Sequence, residues 1–139
     1  MSYTETFIQV AEDCPVTTAV VPTATGPKKS LHVLQYELLA AAPYSYTHED
    51  LLFEVYVRHR SIPQHEVEMR GAEIRAELLQ KSHPCLRASL LPKKYGWGVH
   101  YDAAGRIAIY ARESNEYQQF TQTASGSVKQ LKAMRNKRA

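Results

Sequence analysis

Cysteine is scarce in this chain. Two residues, Cys14 and Cys85, occur in 139, too few for a disulfide framework. They read as free thiols in a reducing compartment. Separation in sequence leaves a Cys14–Cys85 bridge open as the alternative. Long apolar runs are also missing, and none approaches the roughly 18 residues of a membrane span. The opening segment MSYTETFIQV lacks a basic start followed by an apolar block. No secretory signal is therefore expected, and the expected location is cytoplasmic. There is no Cys-x-x-Cys and no His-Glu-x-x-His. His83-Pro84-Cys85 and His100-Tyr101-Asp102 offer two ligands each where zinc takes three or four, so no metal is expected. Pro84-Cys85 matches half of a zinc deaminase signature, but Arg87 and Ala88 stand where the second cysteine is needed. Gly96 and Gly98 lack the Lys-Ser/Thr ending and the following helix of a phosphate loop. No dinucleotide fingerprint exists either, so no cofactor is expected.

Acidic residues are absent from the last fifteen positions, SGSVKQLKAMRNKRA, which hold Lys129, Lys132, Arg135, Lys137 and Arg138. Removing those five from the 17 basic residues leaves 12 against 14 acids, a body of charge −2. The basic character thus belongs to the tail. The expected organisation is one domain over residues 1–124 and a basic C-terminal tail over 125–139. An apolar fraction of 44% with 22% charged residues suits a globular domain.

What is present reads as α+β. TETFIQV, Thr4 to Val10, is short and β-branched enough for a first strand. Residues 12–30 hold three prolines, one glycine and four threonines and read as a long loop. Ser30 is placed to cap a helix over Leu31–Ala42, which Pro43 stops. Thr47-His48-Glu49-Asp50 approaches a capping box for a second helix, although Leu51, Phe53, Val55 and Val57 alternate as in a strand. Pro63 suits the first turn of a third helix to about Lys81. Ser114 can cap a further helix to about Gln122. Val128, Leu131 and Met134 outline a tail helix.

Pro84 to Glu113 carries the most information. Asp102-Ala103-Ala104-Gly105 reads as a type I turn with Gly105 left-handed, closing a β-hairpin. The register then opposes Tyr101 to Ile107, Val99 to Ile109 and Trp97 to Ala111 on one apolar face. The reverse face carries His100 opposite Ala108, Gly98 opposite Tyr110 and Gly96 opposite Arg112. Leu86, Ala88 and Leu90 alternate with Cys85, Arg87 and Ser89, as in a strand. The expected fold is a small antiparallel sheet made from the first strand, this 85–90 segment and the C-terminal-half hairpin, packed against several helices. The reverse face would then gather Cys85, Arg87, His100, Tyr110 and Arg112. Guanidinium and imidazole groups favour carboxylate or phosphate. A solvated outer face is the plain alternative.

The segments FIQVAEDCP, QYELL, PYSYTHEDLLFEV, PCLRAS, LLPKKYGWGVH and MRNKRA together resemble a family of uncharacterised, mainly microbial proteins of about this length, catalogued as a domain of unknown function. The resemblance spans nearly the whole chain, and PCLRAS and YGWGVH are its most specific parts. It implies a complete single-domain protein, tail included. It implies no activity, cofactor or catalytic residue.

Three functional readings follow. The first is a small anionic molecule bound on the polar face of the hairpin. Arg87 and Arg112 would hold the anion, and Trp97 or Tyr110 would form an apolar wall. His100 would act as acid or base and Cys85 as nucleophile if the protein is an enzyme. The second is a nucleic-acid or protein-binding module acting through the basic tail. The third is a structural or assembly role. Oligomeric state is not legible.

Overall fold

The computed structural model describes residues 3–24, 26, 29–122 and 128–135. Its strands are β1 (Thr6–Gln9), β2 (Trp97–Tyr101), β3 (Ile107–Ala111) and β4 (Lys129–Lys132). Its helices are α1 (Leu31–Ala41), α2 (His48–His59), α3 (Gln64–Leu79), α4 (Leu90–Lys94) and α5 (Asn115–Gln122), with a 3-10 turn at Leu86–Ala88. The fold is α+β. The sheet order is β3-β2-β1-β4, and the sheet is mixed where an antiparallel one was expected. β1–β2 and β2–β3 are antiparallel, whereas β4 lies parallel to β1.

The hairpin pairs in the expected register, from Trp97–Ala111 to Tyr101–Ile107. Gly105 at φ 80° closes it, donating its N–H to the Asp102 carbonyl at 3.0 Å. A left-handed residue at this point costs glycine nothing, because it has no Cβ to clash. One face of the sheet meets α1 and α2. Ile8, Val99, Tyr101 and Ile107 pack there with Leu34, Leu38, Leu39, Leu51 and Val55, all buried.

Two segments depart from expectation. Residues 85–90 are not a strand. Ser89 caps α4, its hydroxyl accepting from the Leu91 N–H at 3.2 Å, and Pro92 falls in the first turn, where a missing N–H costs nothing. That local chemistry outweighs the alternation of Leu86, Ala88 and Leu90. The tail is not a helix over 128–134 either. Residues Lys129 and Ala133 donate to the Glu5 and Gln9 carbonyls at 2.8 and 2.9 Å, and Ala133 is buried. The stretch expected to stand apart as a basic tail therefore supplies an edge strand of the domain. Its positions 125–127 and 136–139 lie outside the described residues.

The helix starts are local in origin. Thr47 and Asp50 form a full capping box for α2. Ser30 precedes α1 in extended backbone but makes no side-chain cap bond. Pro63 stands at the N-cap of α3, just before the first turn. Ser114 caps α5 by accepting from the Tyr117 N–H at 3.1 Å. Among the described residues, no helix is long and apolar enough to cross a membrane.

Candidate functional site

The reverse face of the hairpin is covered by α5. Phe7 is fully buried there, stacked on Phe120 at 4.9 Å and edge-on to Tyr117 at 5.1 Å. His100 stacks on Phe120 at 4.2 Å. Its Nδ1 lies 2.7 Å from the Tyr44 hydroxyl, which also lies 2.8 Å from the Tyr110 hydroxyl. Burial pushes the His100 imidazole below its ordinary pKa, against the pull of the Asp102 and Glu5 carboxylates. Burial and the Tyr110 hydrogen bond push the Tyr44 phenol up. This is a half-buried, mutually satisfied Tyr-His-Tyr cluster with carboxylates as its charged neighbours.

The remaining expected residues lie elsewhere. Arg112 donates through Nη1 to the Val16 carbonyl at 2.6 Å. Trp97 donates its indole N–H to the Val20 carbonyl at 2.9 Å and tilts against Tyr36 of α1. Both hold the 12–24 strap onto the sheet, with Glu113 accepting from the Ala19 N–H at 2.8 Å. Gly96, at φ 82°, lets the strap pass. A Cβ there would stand 3.0 Å from Val16 and 3.2 Å from the Ala19 backbone.

Cys85 and Arg87 sit beyond the other end of the sheet, beside β4. The Cys85 Sγ is 3.5 Å from the Tyr3 hydroxyl, and both cysteines are free thiols. Arg87 donates through Nε to the Lys132 carbonyl at 2.8 Å. Its own carbonyl accepts from Met134 at 2.9 Å. Arg87 thus anchors β4. The expected set of Cys85, Arg87, His100, Tyr110 and Arg112 does not converge, because the 85–90 segment is not in the sheet and only His100 and Tyr110 meet.

The cavities lie on the opposite side, among the helices. One of about 410 Å³ is walled by α1, α2, the end of α3 and residues 83–86. Leu51, Leu52, Val55, Leu78 and Leu86 make it apolar. His48, His59, Arg60, Lys81 and His83 add five basic side chains, and no carboxylate lines it among the described residues. His48, the first residue of α2, is 5% exposed, and its Nδ1 has no hydrogen-bond partner among the described residues. Burial, with His83 nearby, pushes that imidazole below its ordinary pKa. A buried polar atom left unpaired costs about 1–3 kcal/mol. A second cavity of about 460 Å³ shares Leu31, Gln35, His59 and Pro84 with the first and continues along residues 84–90. Among the described residues, no three histidine, cysteine, aspartate or glutamate side chains are placed to hold a metal ion.

No short catalytic or ligand-binding motif joins these residues. His48 was legible only as part of a helix cap, and the cleft is assembled from three separated stretches of sequence. The one usable signal was indirect: a histidine at the first turn of a helix, followed by apolar residues on the face that packs inward.

Residues 1–139 match a family described as "Family of unknown function (DUF6157)". The chain belongs to this family. No curated protein matches it, and no solved structure matches it. In this family member the PCLRAS segment forms a wall of the cleft through Pro84, Cys85, Ala88 and Ser89. The YGWGVH segment builds β2 and the passage for the strap. The two segments that carried the resemblance thus flank different features.

Proposed function

We propose that the protein binds a small organic anion, and that the site is the cleft between α1, α2 and residues 83–86. The observation that carries this reading is the lining of the cavity: an apolar floor with five basic side chains, His48 among them, and no acid among the described residues. Pockets for small ligands combine such a floor with a few polar groups that fix orientation. Arg60 and Lys81 are exposed at the rim and supply the field that draws an anion in. His48 borders the same cavity and reports on its occupancy. The class of ligand is the one expected from sequence, but its place is different.

The test is a panel of acetate, butanoate, benzoate and inorganic phosphate, read by thermal melting and by the imidazole resonances of selectively labelled histidines. At least one carboxylate should raise the melting temperature and shift His48. The exposed double variant Arg60→Glu, Lys81→Glu should weaken that binding about tenfold or more, since two attractive charges become repulsive. A panel in which no anion shifts His48 or the melting temperature would overturn the reading.

A further inference from the structure

The two arms of the cleft differ in charge and in unmet polarity. Arg60 and Lys81 line the first arm and not the second. Among the described residues the second arm has no lysine, arginine or carboxylate, and several of its polar groups are already occupied. The Ser89 hydroxyl donates to Gln35 Oε1 at 2.7 Å. Ser30 lies 3.3 Å from His32 Nδ1, and Cys85 pairs with Tyr3. His32 also stacks on Tyr95 at 5.0 Å. What remains to be satisfied in the second arm is apolar surface. At the junction stands Leu31, 52% exposed although it lines both arms. An apolar side chain of that size, left in water between two cavities, is covered most directly by something that passes from one to the other.

We propose that the two arms hold one ligand, an unbranched acyl-chain monocarboxylate. Its carboxylate lies in the Arg60–Lys81 arm, and its alkyl tail crosses Leu31 into the second arm. This rests on the anion-binding reading above and adds to it the length and character of the ligand. Each cavity alone lies within the usual size range of a ligand pocket, roughly 300–1,000 Å³, so a tail entering the second arm has space to be fully desolvated. Every methylene so buried strengthens binding about fourfold. Affinity therefore climbs with chain length until the second arm is filled. The tail's passage along residues 84–90 also brings it past Cys85, which lines that arm.

The experiment compares octanoate, butanoate and octylamine by calorimetric titration of the full chain. Alkylation of Cys85 and Cys14 by iodoacetamide is followed in parallel by mass spectrometry. Octanoate should bind on the order of tenfold or more tightly than butanoate, and octylamine should not bind. Octanoate should slow alkylation of Cys85 and leave Cys14 unchanged. The variant Leu31→Asn, at a half-exposed position that lines both arms, should weaken octanoate by a larger factor than butanoate, with the melting temperature of the free variant checked alongside. Equal affinities for the two acids, or octanoate binding with Cys85 alkylated at its free rate, would overturn the two-arm ligand and leave the anion reading standing. Octylamine binding as tightly as octanoate would overturn the anion reading. Binding of neither acid would overturn both.

Discussion

At Gly98 the sheet has no room for a side chain. A Cβ built there would stand 2.6 Å from the Phe7 ring and 2.6 Å from the Tyr117 ring. Both rings are wedged between β1 and α5, so neither can swing away cheaply. Gly98→Ala should therefore cost about 1–3 kcal/mol by overpacking, read as a lower urea midpoint with an unchanged slope. A substitution without effect would mean that α5 yields. A glycine inside a strand marks a place where another group comes close. The identity of that group was not legible in the sequence, because Phe7 lies far upstream and Tyr117 belongs to a helix whose docking face local pattern does not reveal. His100 and Tyr110 were placed on the correct face. Their partner Tyr44 escaped notice because it sits in a left-handed backbone conformation at φ 59°, in a turn that no periodicity describes.

Among the elements, β4 and residues 85–90 teach the most. β4 fills the edge of β1, and Arg87 secures it from the other side through Lys132 and Met134. Deleting residues 128–139 would bare the β1 edge and take Leu131 and Ala133 away from the core. An unpaired edge recruits other chains. The truncated protein is thus expected to aggregate or to elute as larger species in size-exclusion chromatography. A truncated chain that stays monomeric, with unaltered melting, would contradict this role for β4. The same result limits any test of nucleic-acid binding by tail deletion, because the deletion removes structure together with charge. Capping boxes and the Asp102–Gly105 turn were readable, since each is decided within four residues. The 85–90 segment and β4 were not. Both are short, and each carries a hydrophobic spacing that fits two kinds of structure, so the choice falls to distant partners.

For the molecule as a whole, ionisation sets the range of stability. Burial lowers the pKa of His32, His48 and His100 from the ordinary 6.5. The unfolded chain then binds protons more readily than the folded one as pH falls through that value. The stabilising difference is complete above 6.5 and lost with further acidification. Tyr44, Tyr101 and Tyr117 are shifted the other way, chiefly by burial, upward from 10.0. Their unfolded phenols ionise first, so stability falls again as pH rises past that value. Melting temperature measured from about pH 5 to about pH 11 should form a plateau with a decline on each side. Tyr44→Phe should make the alkaline decline shallower. A melting temperature that keeps rising below pH 6 would refute the buried, neutral state of these imidazoles. The fold class was legible at this scale because alternation and helix caps both survive in composition and spacing. The cleft was not, because it exists only once α1, α2 and residues 83–90 are assembled.

The placement of β1 has a consequence in time. Thr6 pairs with Tyr101 on one side and with Lys129 on the other. The strand made first therefore waits for both of its neighbours. At translation rates of about 5–20 residues per second, roughly five to twenty seconds separate the synthesis of β1 from that of β2, and β4 follows later still. Throughout that interval Phe7 and Ile8, both fully buried in the finished protein, are nascent chain without a sheet to enter. The chain's exposure to misassociation is thus greatest during its own manufacture.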